Sequence, residues 1–307
     1  MARNNRIEPS YFLPKDTQEL MDGKAADNYA LFLQRQATQI AEKGKEKFKF
    51  FYGGLLEKKF KFPKDHSNLL NELQKRQNNH LELLCSKSRV MAFKPDWRVV
   101  VGLGGESVYE TSITLHHVYG IPYIPASAIK GITRMCWIRE CWGYNDKAEE
   151  DALCNPLFRK VFGGSRVEKE IGKVIFFDAF PLELKESSIQ VDVMNPHYPD
   201  YYTGKTEWPT DTQNPTPIYF LTVADTSFRF ALGCSEHVEN AEDLLKKTSC
   251  YLKKALTEFG IGAKTAVGYG RFEEDESRRK EQQQIEEEKE KKRQQAEAAT
   301  KREAELS

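Results

Sequence analysis

A chain of 307 residues with 39% hydrophobic content is long enough for one large domain or two small ones, and can bury a substantial core. No stretch approaches the roughly 20 consecutive apolar residues a membrane span needs, and no charged-then-apolar leader opens the sequence, so a cytoplasmic protein without membrane contact is expected. The formal net charge of zero hides a division: residues 271–307 hold 10 Lys+Arg against 12 Asp+Glu, which leaves positions 1–270 slightly basic.

In chain order, residues 26–43 place Tyr29, Phe32, Leu33, Gln36 and Ile40 near helical spacing, and residues 66–86 do the same with Leu69, Leu70, Leu73, Leu81 and Leu84. Between them, residues 43–64 interleave eight lysines with Phe48, Phe50, Phe51, Tyr52, Phe60 and Phe62. That mixture suits either a polyanion met by charge and stacking or a solvated helix face whose aromatics enter the core. From Trp97 the texture becomes strand-like. WRVVVGLG (97–104) reads as a buried strand, SVYETSITLH (107–116) alternates like a half-exposed one, and YGIPYIP (119–125) runs extended into a helix. KVIFFDAFPL (173–182) is a further apolar strand, followed by a polar, proline-rich and aromatic stretch to about Pro217. IYFLTV (218–223) and SFRFALG (227–233) read as strands, and 241–259 as a helix.

This order gives an α+β class and suits a ferredoxin-like βαββαβ plan carrying a large insertion over 183–217. The expected division is an N-terminal helical region over 1–87, a core over 88–272 and a charged tail over 273–307. That tail has only isolated apolar positions such as Ile285 and Leu306, so a solvated helix or a disordered segment is expected. The six cysteines are scattered, which argues for reduced thiols. Cys136, Cys141 and Cys154 with His116 or His117 could be assembled into a zinc site, but there is no CxxC and no metal is expected.

FGIGAKTAVGYGRF (259–272) packs four glycines, a lysine and an arginine into fourteen positions. A dinucleotide fingerprint needs strand, glycines, then helix, and here the helix comes first. A Walker loop needs glycine before the lysine, and Ala263 stands there instead. No nucleotide cofactor is therefore expected. Gly260 is placed to cap the preceding helix in the left-handed conformation. Two readings of the rest stay open: a flexible amide-rich strip, with Lys264, Tyr269 and Arg271 suited to a sugar-phosphate backbone, or a helix cap followed by a tight bend.

In HHVYGIPYIPASAIKGITRMCWIRECW (116–142), Pro125 ends the extended run and Ser127 is a good N-cap for the next helix. Lys130 and Arg134 lie four apart near its N-terminus. Like charges at that spacing and a basic pair at the positive end of the dipole both cost stability, and an anion held with Ser127 and the free first-turn amides would relieve them. Two solvent-facing cations are the alternative.

Together, YGIPYIPASAIKG followed by Arg134, VIFFDAFP, VDVMNPHYPDYY, NPTPIYFLTV and GIGAKTAVGYGRF resemble the RAMP superfamily of CRISPR effector proteins, over about residues 88–272 and in the family's order. Ala126 and Ala128 depart from the family's pattern, which usually has a glycine before a serine pair. The resemblance implies a ferredoxin-like, RRM-related RNA-binding body. It would stack with other RAMP subunits of a type III-B Cmr complex along a CRISPR guide RNA near the guide's 3′ region, and hold the guide–target RNA duplex. By that similarity Ser127, Lys130, Arg134, His116, His117, Gly262, Lys264, Thr265, Tyr269 and Arg271 would contact RNA. Phosphate and shape contacts suffice where base edges must stay free to pair. Residues 194–215 would form a thumb-like segment, with His197, Tyr198, Tyr201, Tyr202 and Trp208 against the duplex, unless they pack on themselves or on a neighbouring subunit.

RNA cleavage would need a histidine or carboxylate near the 2′-hydroxyl, and His116, His117, His197, Asp178, Asp192 and Asp200 are available. Asp178 lies in an apolar strand, where a buried, hydrogen-bonded role is expected. A non-catalytic scaffold is the expectation, and a RAMP-family endoribonuclease acting on CRISPR or target RNA is the alternative.

Overall fold

The structure, a computed structural model, describes residues 10–11, 14–21, 28–35, 38–42, 45–48 and 66–280, apart from 108, 110, 165–169, 186, 196–197, 211–216 and 236–237. Its first elements are β1 (Ser10–Tyr11), α1 (Lys15–Met21), α2 (Tyr29–Arg35), β2 (Thr38–Glu42) and β3 (Lys45–Phe48). The helix expected over 26–43 thus ends at Arg35, and β2 pairs antiparallel with β3 and β1 in a three-stranded sheet. β-branched Thr38 and Ile40 favour pleated backbone, and only two residues, one of them Gly44, separate Glu42 from its partner Lys45. Apart from residues 45–48, the lysine- and aromatic-rich stretch lies outside the described residues.

Asn28 caps α2, its Oδ1 accepting from the Ala30 and Leu31 amides at 2.9 and 3.1 Å. Its Nδ2 donates to the carbonyls of His117 and Val118, so the same side chain ties α2 to a turn about ninety residues away. Tyr29, Ala30 and Leu33 enter the main core. Next comes α3 (His66–Leu84), as expected, with Leu70, Leu73 and Leu81 buried on one face.

The body follows: β4 (Lys87–Pro95), α4 (Ala126–Trp142), α5 (Ala148–Cys154), α6 (Pro156–Phe162), β5 (Val174–Phe176), β6 (Phe180–Pro181), β7 (Ile189–Met194), α7 (Pro199–Tyr202), β8 (Ile218–Val223), β9 (Phe228–Cys234), α8 (Ala241–Lys254) and β10 (Phe272–Glu274). The main sheet has the order β10-β4-β9-β5, with β6 also on β9, and every pairing is antiparallel. Phe228, Phe230 and Leu232 of β9 join the main core, together with Phe93 of β4 and residues of α4 and α8. Edge-to-face pairs such as Phe93–Phe230 at 5.7 Å and Phe230–Phe272 at 5.8 Å lock it, each adding about 0.5–1.5 kcal/mol beyond its area. Arg229, alternating to the opposite face of β9, is buried against α3, where Gln77 and Asn78 accept its guanidinium. Burial without a carboxylate beside it pulls the Arg229 pKa down to about 10. Helices therefore cover β9 on both faces.

Several strands differ from expectation. Val99 and Val100 are fully buried, but only Val99 forms a bridge, with Val223, and no strand spans 97–104. The segment's carbonyls serve irregular neighbours instead: Arg98 O accepts from Gly270, Val100 O from Ala263 and Val101 O from Thr114. In 107–116 the alternation reports burial of Ile113 and Leu115, not a ladder; Leu115 bridges only Pro122. The strand over 173–182 is split at Phe177–Ala179, where Ile124 pairs with Ala179. The stretch 183–217, expected as a polar, proline-rich and aromatic insertion, contains β7, whose alternating IQVDVM pairs fully with β8. The N-terminal region, expected as helical, includes a sheet.

Candidate nucleic-acid interface

The start of α4 departs from the expected capping. Pro125, not Ser127, occupies the N-cap, and Ser127 is an exposed second helical residue. The cap comes from across the sheet edge: Asp178 Oδ1 accepts the Ala126 N–H at 2.7 Å from the break between β5 and β6. A carboxylate thus already sits at the positive end of this helix, the place where an anion was expected. Arg134 is likewise engaged, 2.7 Å from Glu149 and over the Phe158 ring at 5.4 Å. Lys130 is half-buried, and no partner for its ammonium is found among the described residues.

Beside this helix start, His116 stacks on Tyr119 at 4.4 Å and on His117 at 5.1 Å, with Tyr123 and Phe180 closing its other sides. Its Nδ1 faces the amides of Val118 and Tyr119 at 3.3 and 3.4 Å. Burial, helped by His117 and opposed by Asp178, holds the His116 pKa below 6.5. His117 is exposed.

The glycine-rich loop is a closed bend rather than a flexible strip. The amides of Ile261, Ala263, Val267, Gly268, Tyr269 and Gly270 all donate to protein carbonyls. Glycine is required because backbones touch: a Cβ at Gly262 (φ +97°) would meet Val100 O at 2.2 Å, and one at Gly270 (φ +73°) would meet Ile261 O at 2.0 Å. Gly260 has positive φ but ψ 168°, so it is not the left-handed cap expected; its amide donates to Ala255 O and ends a π turn. The loop then presents Lys264 in a left-handed conformation (φ 61°), Thr265 in a 3-10 turn and Arg271 exposed.

Tyr269 does not face solvent. It is 6% exposed, packs on Phe220, and donates its hydroxyl to Asp192 Oδ2 at 2.8 Å. Burial and the Asp192 carboxylate push its pKa up to about 12. The same oxygen accepts from Arg98 at 2.5 Å, so Asp192 of β7 ties together the loop, the segment after β4 and the β7–β8 hairpin. Lys264 Nζ lies 3.6 Å from Met194 Sδ and 5.7 Å from the Phe220 ring, at the foot of that hairpin.

Beyond β7, Tyr198 is half-buried, whereas Tyr201, Tyr202 and Trp208 are exposed, Trp208 at 75%. Tyr202 lies within ring contact of both tyrosines. His197 lies outside the described residues. Asp200 faces Lys205 at 3.5 Å.

The structure therefore gathers the predicted residues into two groups rather than one. His116, His117, Ser127 and Lys130 lie beside the β5–β6 edge; Gly262, Lys264, Thr265, Tyr269 and Arg271 lie at the β10 edge with the β7–β8 hairpin. With β9 and β4 between the edge strands, three spacings put the two edges about 14 Å apart. Sequence reasoning missed Trp97 and Arg98. Trp97 is 50% exposed, with its ring 4.7 Å from Tyr269 and Arg98 over it at 5.2 Å. The available signal was an aromatic–cation pair just after a proline that closes a strand. Among the described residues, no group of three His, Cys, Asp or Glu side chains is placed to hold a metal ion, and no helix is long and apolar enough to cross a membrane.

A mixed helical and antiparallel-sheet body with a glycine-built loop defines the class. Residues 98–273 match the RAMP superfamily, and the chain belongs to that superfamily. It is similar to the CRISPR system Cmr subunit Cmr6 of Pyrococcus furiosus, 38% identical over 231 residues, which are 59% of this chain and 66%, just under two thirds, of that relative. It is 30% identical over 246 residues to Cmr6 of Saccharolobus solfataricus, covering 78% of this chain and 75% of that protein. A chain of the type III-B Cmr-beta complex bound to cognate target RNA, solved by cryo-electron microscopy, superposes with a TM-score of 0.53 at 25% identity, covering 69% of this chain and 66% of that one.

Proposed function

We propose that the chain is a non-catalytic, RNA-binding subunit of a type III-B Cmr ribonucleoprotein, holding guide RNA near its 3′ region and the guide–target duplex alongside other RAMP subunits. The names of its relatives support the complex. The sheet order β10-β4-β9-β5, with α4 and α8 as crossovers, supports a ferredoxin-like body. The exposed aromatics after β7 support a thumb-like hairpin.

The observation that carries the RNA reading is the loop. The amides of Ile261, Ala263, Val267, Gly268, Tyr269 and Gly270 are bonded within the protein, so the loop is a braced support that carries Lys264 and Arg271 next to the hairpin foot, suited to gripping a backbone by charge without reading bases. The endoribonuclease reading would need a free base. Three of the six candidates are engaged, since His116 has its Nδ1 against two backbone amides, Asp178 caps α4, and Asp192 holds Arg98 and Tyr269, whereas His117 is exposed and is the group a cleavage assay has to test.

The test is end-labelled guide RNA assembled with the partner subunits, comparing wild type with a Lys130→Ala/Arg134→Ala/Lys264→Ala variant across a salt series. Intact RNA, with weaker binding and a shallower salt slope in the variant, is the expected result. Cleavage dependent on this chain, or an unchanged slope, would overturn it.

A further inference from the structure

We propose that Trp97 is a stacking platform for one unpaired base of a single-stranded RNA, a contact beyond the backbone grip and resting on the RNA-binding reading above. Half of this indole is open to solvent, in a chain whose Trp137 is buried in the core. The ring is nonetheless held. Tyr269 packs against it at 4.7 Å and Arg98 lies over it at 5.2 Å, and both are fixed by the same Asp192 carboxylate, from Tyr269 at 2.8 Å and Arg98 at 2.5 Å. Three segments are thus used to fix an aromatic surface of which half is left open. An ordered ring loses little freedom when a base lands on it, and stacking is tolerant of which base arrives.

The surroundings favour RNA over a protein. Trp97 is flanked in the chain by Asp96 and Arg98. The backbone of Asp96 pairs with that of Arg271, whose side chain is exposed, so the ring stands among charges rather than in an apolar patch. Lys264 and Arg271 belong to the same loop as Tyr269, the Lys264 carbonyl accepting from the Tyr269 amide at 3.3 Å, so two cations accompany the ring.

The experiment titrates the full chain with a labelled 20-nucleotide single-stranded RNA of mixed sequence, and with an abasic ribose-phosphate strand of the same length, across a salt series. Wild type, Trp97→Ala and Trp97→Phe are compared, with thermal melts to verify folding. Wild type should prefer the base-bearing strand. Trp97→Ala should lose about 5- to 150-fold in affinity for it, the range of one base–aromatic stack, with the salt slope unchanged, and Trp97→Phe should recover part of the loss. If wild type binds both strands equally, or Trp97→Ala binds RNA as wild type does, the platform is overturned while the backbone grip stands. If Trp97→Ala keeps RNA but no longer joins partner subunits, the ring is a protein anchor and the platform is likewise overturned. If wild type binds neither strand and the assembly experiment above shows no dependence on the basic residues, the RNA reading falls and the stack with it.

Discussion

The two basic regions, the α4 start and the glycine-rich loop, are flagged in the sequence by the same logic: exposed amides beside cations. They are built in opposite ways. At α4 the first amide is already taken by Asp178, and Arg134 is already paired with Glu149. At the loop six amides are also taken, but by neighbouring backbone, and among the described residues Lys264 and Arg271 have no carboxylate paired with them. What matters for binding an anion is which groups fold formation leaves unspent, and a motif does not state that.

The largest expected effect lies in the loop's backbone. Gly270→Ala forces a Cβ into Ile261 O at positive φ, and should cost about 2–4 kcal/mol in urea unfolding; a loss under half that would mean the bend is pliable after all. Next comes Asp178→Ala, which removes the cap of α4 and should cost about 1–2 kcal/mol. The same variant sharpens the comparison, because removing this carboxylate should raise RNA affinity at low salt if α4 meets phosphate, and leave it unchanged if only the loop does.

Single cation variants divide the regions more finely. Lys264→Ala should lower the salt slope by about 0.7 for one single-strand phosphate contact, whereas Arg134→Ala should lower it less, because Glu149 already neutralises that guanidinium. Arg134→Ala should also cost little stability, since such a partly exposed pair is worth about 0.2–1 kcal/mol.

The smallest effect is on acid stability. The His116 pKa is depressed in the fold, so the unfolded chain binds the proton more readily, and stability should fall as pH drops through about 6.5, the unfolded value. His116→Gln should flatten that part of a melting-temperature profile between pH 7.5 and 5.5; an unchanged slope would assign it to other groups.

Much of the pattern was legible. α3, α8, β8 and β9 follow from periodicity, and the hydrogen-bonded role of Asp178 follows from its apolar setting. Residues 97–104 misled because burial and pairing leave the same apolar signature; Val100 is buried like a strand residue, yet its carbonyl serves Ala263. β7 was hidden by the polar, aromatic stretch that follows it, although Ile189, Val191 and Val193 alternate. Thr38–Glu42 was absorbed into a helix because Ile40 also satisfies a 3.6-residue period.

By itself, the sequence determined the family pattern, the mixed class, the helix before the glycine loop and the exclusion of both nucleotide fingerprints, because these depend on local order and residue type. Only the tertiary structure decided which polar groups remain available. Asp178 reaches α4 from 52 positions away, Asp192 reaches Tyr269 from 77, and Trp97, half exposed, is held by Tyr269 from 172 positions along the chain. Hydrogen-bond partners at such separations are set by how strands and loops pack, and no local stretch of residues records them.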